Sequence, residues 1–144
     1  MGDAFMIEDL RAADRDSAVW LLEQASQECE RMTGARFLMS PERLVRENLM
    51  IVAKEGVMIR GLAVVRTDPP GRRKIAILYV APVYRRRGVG GLLLAEVSRR
   101  FAAERPWAIV HEANSESREL FLSAGYAEGA PPRPGSRYRV WDLL

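Results

Sequence analysis

A chain of 144 residues has the length of one domain and can bury roughly two-thirds of its unfolded surface around a single core. Its hydrophobic fraction of 48% is ordinary for a globular protein, and no apolar run approaches the ~20 residues of a membrane span, which excludes a spanning helix. The net charge of +3 is unevenly spread: residues 1–48 hold six Arg against ten Asp and Glu, net −4, and the remainder holds sixteen Lys and Arg against nine acids, net +7.

The start, Met1-Gly2-Asp3-Ala4-Phe5-Met6, lacks the charged head and long apolar centre of a secretion leader, and Met6 stands where a myristoylation signal needs Ser or Thr. Residues 5–11 are a short strand candidate. Asp14 stands where an N-cap belongs, ahead of a helix reaching about Met32, with Val19, Leu22, Cys29 and Met32 at helical spacing. Cys29 reads as a small packed residue; as the sole cysteine it allows no intrachain disulfide, and a reducing cytoplasm is the expected compartment. Gly34 falls in the turn that follows. Ser40-Pro41-Glu42 supplies an N-cap, a proline at the first helical position and a first-turn acid, so a second helix is expected to about Asn48.

Residues 50–56 and 57–66 read as a hairpin turning at Glu55-Gly56, with Gly61 marking a bulge or close packing in its second strand. Residues 67–71 are a turn by composition, and the basic triplet Arg72-Arg73-Lys74 leads into an apolar strand ending at Pro82. After three more arginines a helix begins among glycines, its stripe formed by Val89, Leu93, Val97 and Phe101, and Pro106 stops it. Residues 107–112 are the next strand. Asn114 or Ser115 caps a helix that ends at Gly125 in the manner of a C′ glycine; residues 131–135 are loop, and 138–143 a last strand. No repeat or linker interrupts this order, which suits an α/β domain with a mixed sheet.

The junction after the central strand carries the chemistry. The first amides of a helix have no intrahelical partner, and Gly88, Gly90 and Gly91, lacking a Cβ, let a ligand approach them. The helix dipole favours an anion there by only ~0.3–1 kcal/mol, whereas each hydrogen bond to a charged acceptor contributes roughly 1.5–3 kcal/mol, so the amides decide affinity. A diphosphate fits. The dinucleotide fingerprint G-x-G-x-x-G would need glycine where Leu93 stands, and no glycine is followed by the Lys of a Walker loop.

What remains, Arg85-x-x-Gly88-x-Gly90 after a strand ending Val80-Ala81-Pro82, resembles the coenzyme A pyrophosphate loop of the GNAT N-acetyltransferases. Downstream, Asn114-x-x-Ser117-x-x-Leu120-Phe121-x-x-x-Gly125-Tyr126 resembles the second signature of that family. The resemblance implies one GNAT-like domain over residues 1–144, α/β, with a mixed, mostly antiparallel sheet flanked by about four helices. It implies acetyl-CoA as co-substrate and direct attack on its thioester by a primary amine of a small molecule or peptide. The pantetheine arm would lie along Leu78, Tyr79 and Val80 like an added strand. The diphosphate would sit on Arg86, Arg87, Gly88, Val89, Gly90 and Gly91, with Arg85 capping or bracing the loop. Asn114 would reach the pantetheine or serve as a plain helix cap, and Ser117 and Phe121 complete the cofactor side. Pairing of two copies through the final strands is common in the family.

Two departures from the family pattern bear on catalysis. Ile75, Ala76, Ile77 and Leu78 offer no strand carboxylate, and Phe121 stands where many members carry an acidic Tyr. Tyr79, His111 and Glu112, with Tyr84 and Tyr126, are the replacement candidates. A base matters most for a lysine-like amine, which costs about 4.6 kcal/mol to deprotonate at pH 7 against about 1 kcal/mol for an α-amine. A coenzyme-A-binding or regulatory module with weakened catalysis is the alternative. The Arg clusters at 72–73, 85–87 and 99–100 raise a nucleic-acid reading, but Tyr84 is the only aromatic among them and no recognition motif is present, so no nucleic-acid partner is expected. Neither is a metal. The acceptor would be read by the first two helices, residues 33–39 and residues 131–135, and the acidic first third favours a cationic acceptor such as a polyamine or aminosugar.

Overall fold

The computed structural model describes residues 5–144; of the start read as leader-free, residues 1–4 lie outside them. The chain runs β1 (Met6–Asp9), α1 (Arg15–Thr33), α2 (Pro41–Glu47), β2 (Leu49–Glu55), β3 (Met58–Thr67), β4 (Arg73–Val80), α3 (Val89–Arg100), β5 (Trp107–His111), α4 (Ser115–Ser123), β6 (Tyr126–Glu128) and β7 (Tyr138–Leu143). The seven strands form one sheet in the order β1-β2-β3-β4-β5-β7-β6, and only β4 and β5 pair in parallel. This is the mixed α/β arrangement that the element order suits, and the mostly antiparallel sheet with four helices that the family resemblance implies. No helix among the described residues is long and apolar enough to cross a membrane.

Each face of the sheet carries a core. Ile51, Ala53, Ala63, Val65 and Ile75 pack under Val89, Leu93, Val97 and Phe101 of the α3 side, the predicted stripe, together with Phe121 of α4. Met50, Val52, Leu62 and Val64 point the other way, under Ala18, Leu21 and Leu22 of α1 and Leu44 and Val45 of α2. Strands buried on both faces read as continuous apolar runs, which is how β2 and β3 read.

The helix starts follow their sequences with one exception. Ser40 caps α2 by accepting the Arg43 amide at 3.3 Å. Asp14 occupies the cap position of α1 but makes no cap bond, because its carboxylate takes the Lys54 ammonium at 2.8 Å instead. The buried stripe of α1 is also shifted from the expected one. Ala18, Leu21, Leu22, Ala25 and Ser26 face the sheet, while Cys29 is half-buried and Met32 is 40% exposed. The hairpin turns one residue later than predicted, at Gly56-Val57, since Glu55 pairs Met58.

Two bulges shape β4 and its neighbour. Arg60 is the extra residue between the pairs Ala53↔Gly61 and Lys54↔Ile59. A Cβ on Gly61 would meet the Tyr79 carbonyl and Val89 at 3.1 Å each, so this glycine marks both a bulge and a close packing. Ala76 is the second extra residue, between Val64↔Ile77 and Val65↔Ile75. It directly follows the last contact of β4 with β5, for their ladder holds only Lys74↔Trp107 and Ile75↔Ala108. Beyond Ala76 the two strands part.

Candidate active site

The parting of β4 and β5 opens a cleft of about 800 Å³ that passes through the sheet, within the size of small-molecule sites. The bulge sets what faces each side of it. Ile75, Leu78 and Val80 lie against the α3 core, whereas Ala76, Ile77 and Tyr79 lie against the α1 core. Along the strand, the Ala81 amide donates to the Arg60 carbonyl on the β3 side, while the Val80 carbonyl accepts Arg85 Nε on the other side. Strand alternation therefore turns the N–H and C=O of Leu78, and the N–H of Val80, into the gap left by β5.

At the end of β4 a 3₁₀ turn over Pro82–Tyr84 leads into the glycine-bearing bend. Arg86 and Gly88 both adopt the left-handed conformation, at φ of 65° and 79°. This bend aims the start of α3 at the cleft. The first α3 residue whose amide is engaged is Leu92, by the Gly88 carbonyl at 3.0 Å; among the described residues no acceptor meets the amides of Arg86, Gly88, Val89, Gly90 or Gly91. The three glycines differ in reason. Gly88 supplies the positive φ; Gly90 lets α4 approach, since a Cβ there would meet Leu120 at 2.8 Å; Gly91 has open space around it and lines the cleft.

Arg85 does not reach into the cleft as a free cation. Its guanidinium grips both oxygens of Glu28 at 2.7 and 2.8 Å, its Nε holds the Val80 carbonyl at 3.0 Å, and Tyr79 donates its hydroxyl to the same Glu28 at 2.9 Å. The Arg85 bonds hold the Glu28 carboxyl below its usual range, and burial with the Glu28 bond pushes the Tyr79 phenol up to about 12. Glu28 thus ties α1, β4 and the bend into one rigid node. No sequence signal marked it, because its partners lie 51 and 57 residues away.

The other candidates separate. His111 lines the cleft, accepts the Ala113 amide on Nδ1 at 3.0 Å and stacks edge-on to Tyr138, so its neutral ring carries the proton on Nε2. Glu112 lies outside the cleft lining; Arg137 at 2.8 Å and Arg139 at 3.8 Å hold its carboxyl below the usual range. The Tyr126 ring is 1% exposed and its hydroxyl shares a hydrogen with Ser98 at 2.8 Å, which removes it from any surface chemistry. Tyr84 donates to Glu55 and lies under Arg60 and Arg87. Asn114 caps α4 by accepting the Ser117 amide at 3.2 Å, and both line the cleft. Phe121 touches the cleft but packs mainly on Tyr126 and Trp141.

The charged stretches of the sequence are engaged within the protein. In the basic triplet at the start of β4, Arg72 binds Asp142 and the Arg105 carbonyl, Arg73 binds Glu104, and Lys74 lies over Trp107. The acidic first third is largely neutralised within the protein, Glu8 and Asp14 by Lys54, Asp9 by Arg100, Glu28 by Arg85, Glu30 by Arg36 and Glu47 by Arg43. Of the described acids in this third, Glu28 alone lines the cleft.

Comparison with known proteins bears on this geometry. The profile of the family described as acetyltransferase (GNAT) domain matches residues 35–136. No curated protein matches the chain. The PaiA N-acetyltransferase of Thermoplasma acidophilum, in complex with coenzyme A, is similar at a TM-score of 0.78 and 15% identity over 97% of this chain and 98% of that one. A GNAT-family acetyltransferase of Bacillus cereus gives 0.74 and 17% over 98% and 99%. The diaminobutyrate acetyltransferase EctA of Paenibacillus lautus, in complex with L-2,4-diaminobutyric acid and coenzyme A, gives 0.71 and 19% over 99% and 95%. At these identities the likeness is one of fold.

Proposed function

The chain belongs to the GNAT acetyltransferase family, and from that premise we propose that it moves an acetyl group from acetyl-CoA to a primary amine of a small molecule or peptide. The observation that carries the reading is the row of unengaged amides at Arg86, Gly88, Val89, Gly90 and Gly91, placed where the open edge of β4 ends. These amides would hold the diphosphate, and the Leu78 and Val80 backbone would hold the pantetheine arm. Arg85 braces the bend through Glu28 and Val80, and Asn114 keeps the start of α4 in place beside Ser117. When bound, acetyl-CoA supplies a thioester acetyl group; the new bond forms from the amine nitrogen to carbon as carbon–sulfur breaks, and the proton that nitrogen sheds ends on the coenzyme A thiol, directly or through solvent.

The half-buried carboxylate of the cleft, Glu28, and the sequence candidate Glu112 are both committed, and the other carboxylates of the cleft lining, Glu116 and Glu119, stand exposed on α4. Glu28 is doubly bonded to Arg85 and Glu112 to Arg137. His111 spends Nδ1 on the Ala113 amide, which leaves its Nε2 as the nitrogen to hydrogen-bond the departing sulfur. Tyr79, with its proton committed to Glu28, fixes the node. The acceptor then enters as its neutral form. For an amine of pKa near ~10, kcat/KM is expected to rise about tenfold per pH unit between about 7 and 9. A profile flat above pH 7 would show a protein base at work.

The second reading, a coenzyme-A-binding module with weakened catalysis, is favoured by the same shortage of a free base and by Phe121 in the place of a Tyr. Calorimetric titration with coenzyme A, followed by thiol release from acetyl-CoA against a panel of amines, decides between them. Binding with release supports the transferase; binding without release for any amine supports the module; no binding removes both. A reducing cytoplasm suits the lone Cys29 thiol in either case.

A further inference from the structure

The apolar stripe of α1 outruns the core it covers. Ala18, Leu21 and Leu22 are buried against the sheet, but the continuation of the same face, Ala25, Cys29 and Met32, passes over the cleft. The chain then doubles back so that Phe37 and Leu38 form a second wall, and the Phe37 amide donates to Ser26 Oγ at 3.1 Å, which pins that wall to the helix. Leu38 is fully exposed and Met32 is 40% exposed, although both line the cleft. Ile77 and Tyr79 close this half from β4.

Its charges cancel. Glu28 is held by Arg85 through two bonds, and Arg36 by Glu30 at 2.7 Å. An ammonium brought against these walls would lose water and meet only paired anions, the exposed Glu116 and Glu119 of the lining standing on α4, whereas an apolar group would bury surface on both itself and these side chains. The same desolvation lowers the pKa of the reacting amine and so supplies part of what a missing base would do.

We propose that this α1 half of the cleft is the acceptor pocket, and that it takes a primary amine carried on an uncharged apolar body, an aryl-alkylamine or branched alkylamine, in preference to a polyamine or aminosugar. The inference rests on the acetyl-transfer reading. It differs from the cationic acceptor expected from the acidic first third.

The test runs in two arms on the full chain. Coenzyme A is titrated first by calorimetry, and absence of binding would sink the transferase reading together with this pocket. The coenzyme-A complex is then titrated with phenethylamine, spermidine and glucosamine, and kcat/KM is measured for each with acetyl-CoA. Phenethylamine is expected to bind and to be preferred by about tenfold or more, the scale of discrimination an apolar pocket gives. Leu38→Asp, at an exposed position that leaves the core intact, should cut that preference about tenfold without changing the affinity for coenzyme A. Equal or better use of spermidine or glucosamine, or coenzyme A binding with phenethylamine neither bound nor acetylated, overturns the pocket assignment and leaves the cofactor reading standing.

Discussion

The two ends of β4 carry nearly the same residues, Arg72-Arg73-Lys74 at its start and Arg85-Arg86-Arg87 after it, in different surroundings. At the first end β5 lies alongside, and each basic side chain has a partner in Asp142, Glu104 or Trp107. At the second end β5 has parted, Arg85 is turned back onto Glu28, and what faces the cleft is backbone. A cluster of positive side chains is therefore no measure of an anion site; a bend whose amides lack acceptors is a better one. The difference comes from a single extra residue, Ala76, which ends the β4–β5 pairing and resets which side chains face α1.

The contrast is broken most sharply at Gly88. Its φ of 79° penalises a β-branched side chain, so Gly88→Val should re-aim the amides and weaken coenzyme A binding by roughly 100-fold or more, the loss of one to two charged hydrogen bonds, while also lowering Tm. Gly91 separates binding from folding, because nothing crowds it within the protein. Gly91→Leu is expected to weaken coenzyme A by about tenfold on calorimetry, yet to raise stability by roughly 0.5–1 kcal/mol in urea melts, as removal of a helical glycine does. At the other end of the strand the signs reverse. Arg73→Ala should cost stability of about 1 kcal/mol through the lost Glu104 bond and Phe101 contact, and leave the affinity for coenzyme A unchanged.

The Glu28 node gives the smallest and most specific effect. Its folded carboxyl lies below the ordinary value, so its contribution to stability is complete above that value and is lost as pH falls through the lowered one. Urea midpoints of the wild type should therefore drop more steeply below about pH 4.5 than those of Glu28→Gln, and parallel curves would remove the node from the stability of the bend.

Much of this was legible in the chain. Ser40-Pro41-Glu42 announced α2, the stripe from Val89 to Phe101 announced α3, and the two spaced motifs announced the bend and α4. What stayed hidden depends on distance in sequence. Pairs such as Glu28 with Arg85, Asp14 with Lys54 and Arg72 with Asp142 have no local period to betray them. The bulge at Ala76 is equally silent, since an alanine in an apolar run looks like any strand residue. The acidic excess says little about the cleft for the same reason, since several of its side chains have distant partners in Lys54, Arg85 and Arg100.

The most direct test of the backbone site is an amide spectrum of the labelled protein during titration with coenzyme A. The amides of Gly88, Gly90 and Gly91 should shift together with those of Leu78 and Val80, and their hydrogen exchange should slow, while Arg73 and Lys74 stay in place. Saturation with coenzyme A that moves the residues at the start of β4 and leaves the three glycines unchanged would contradict it.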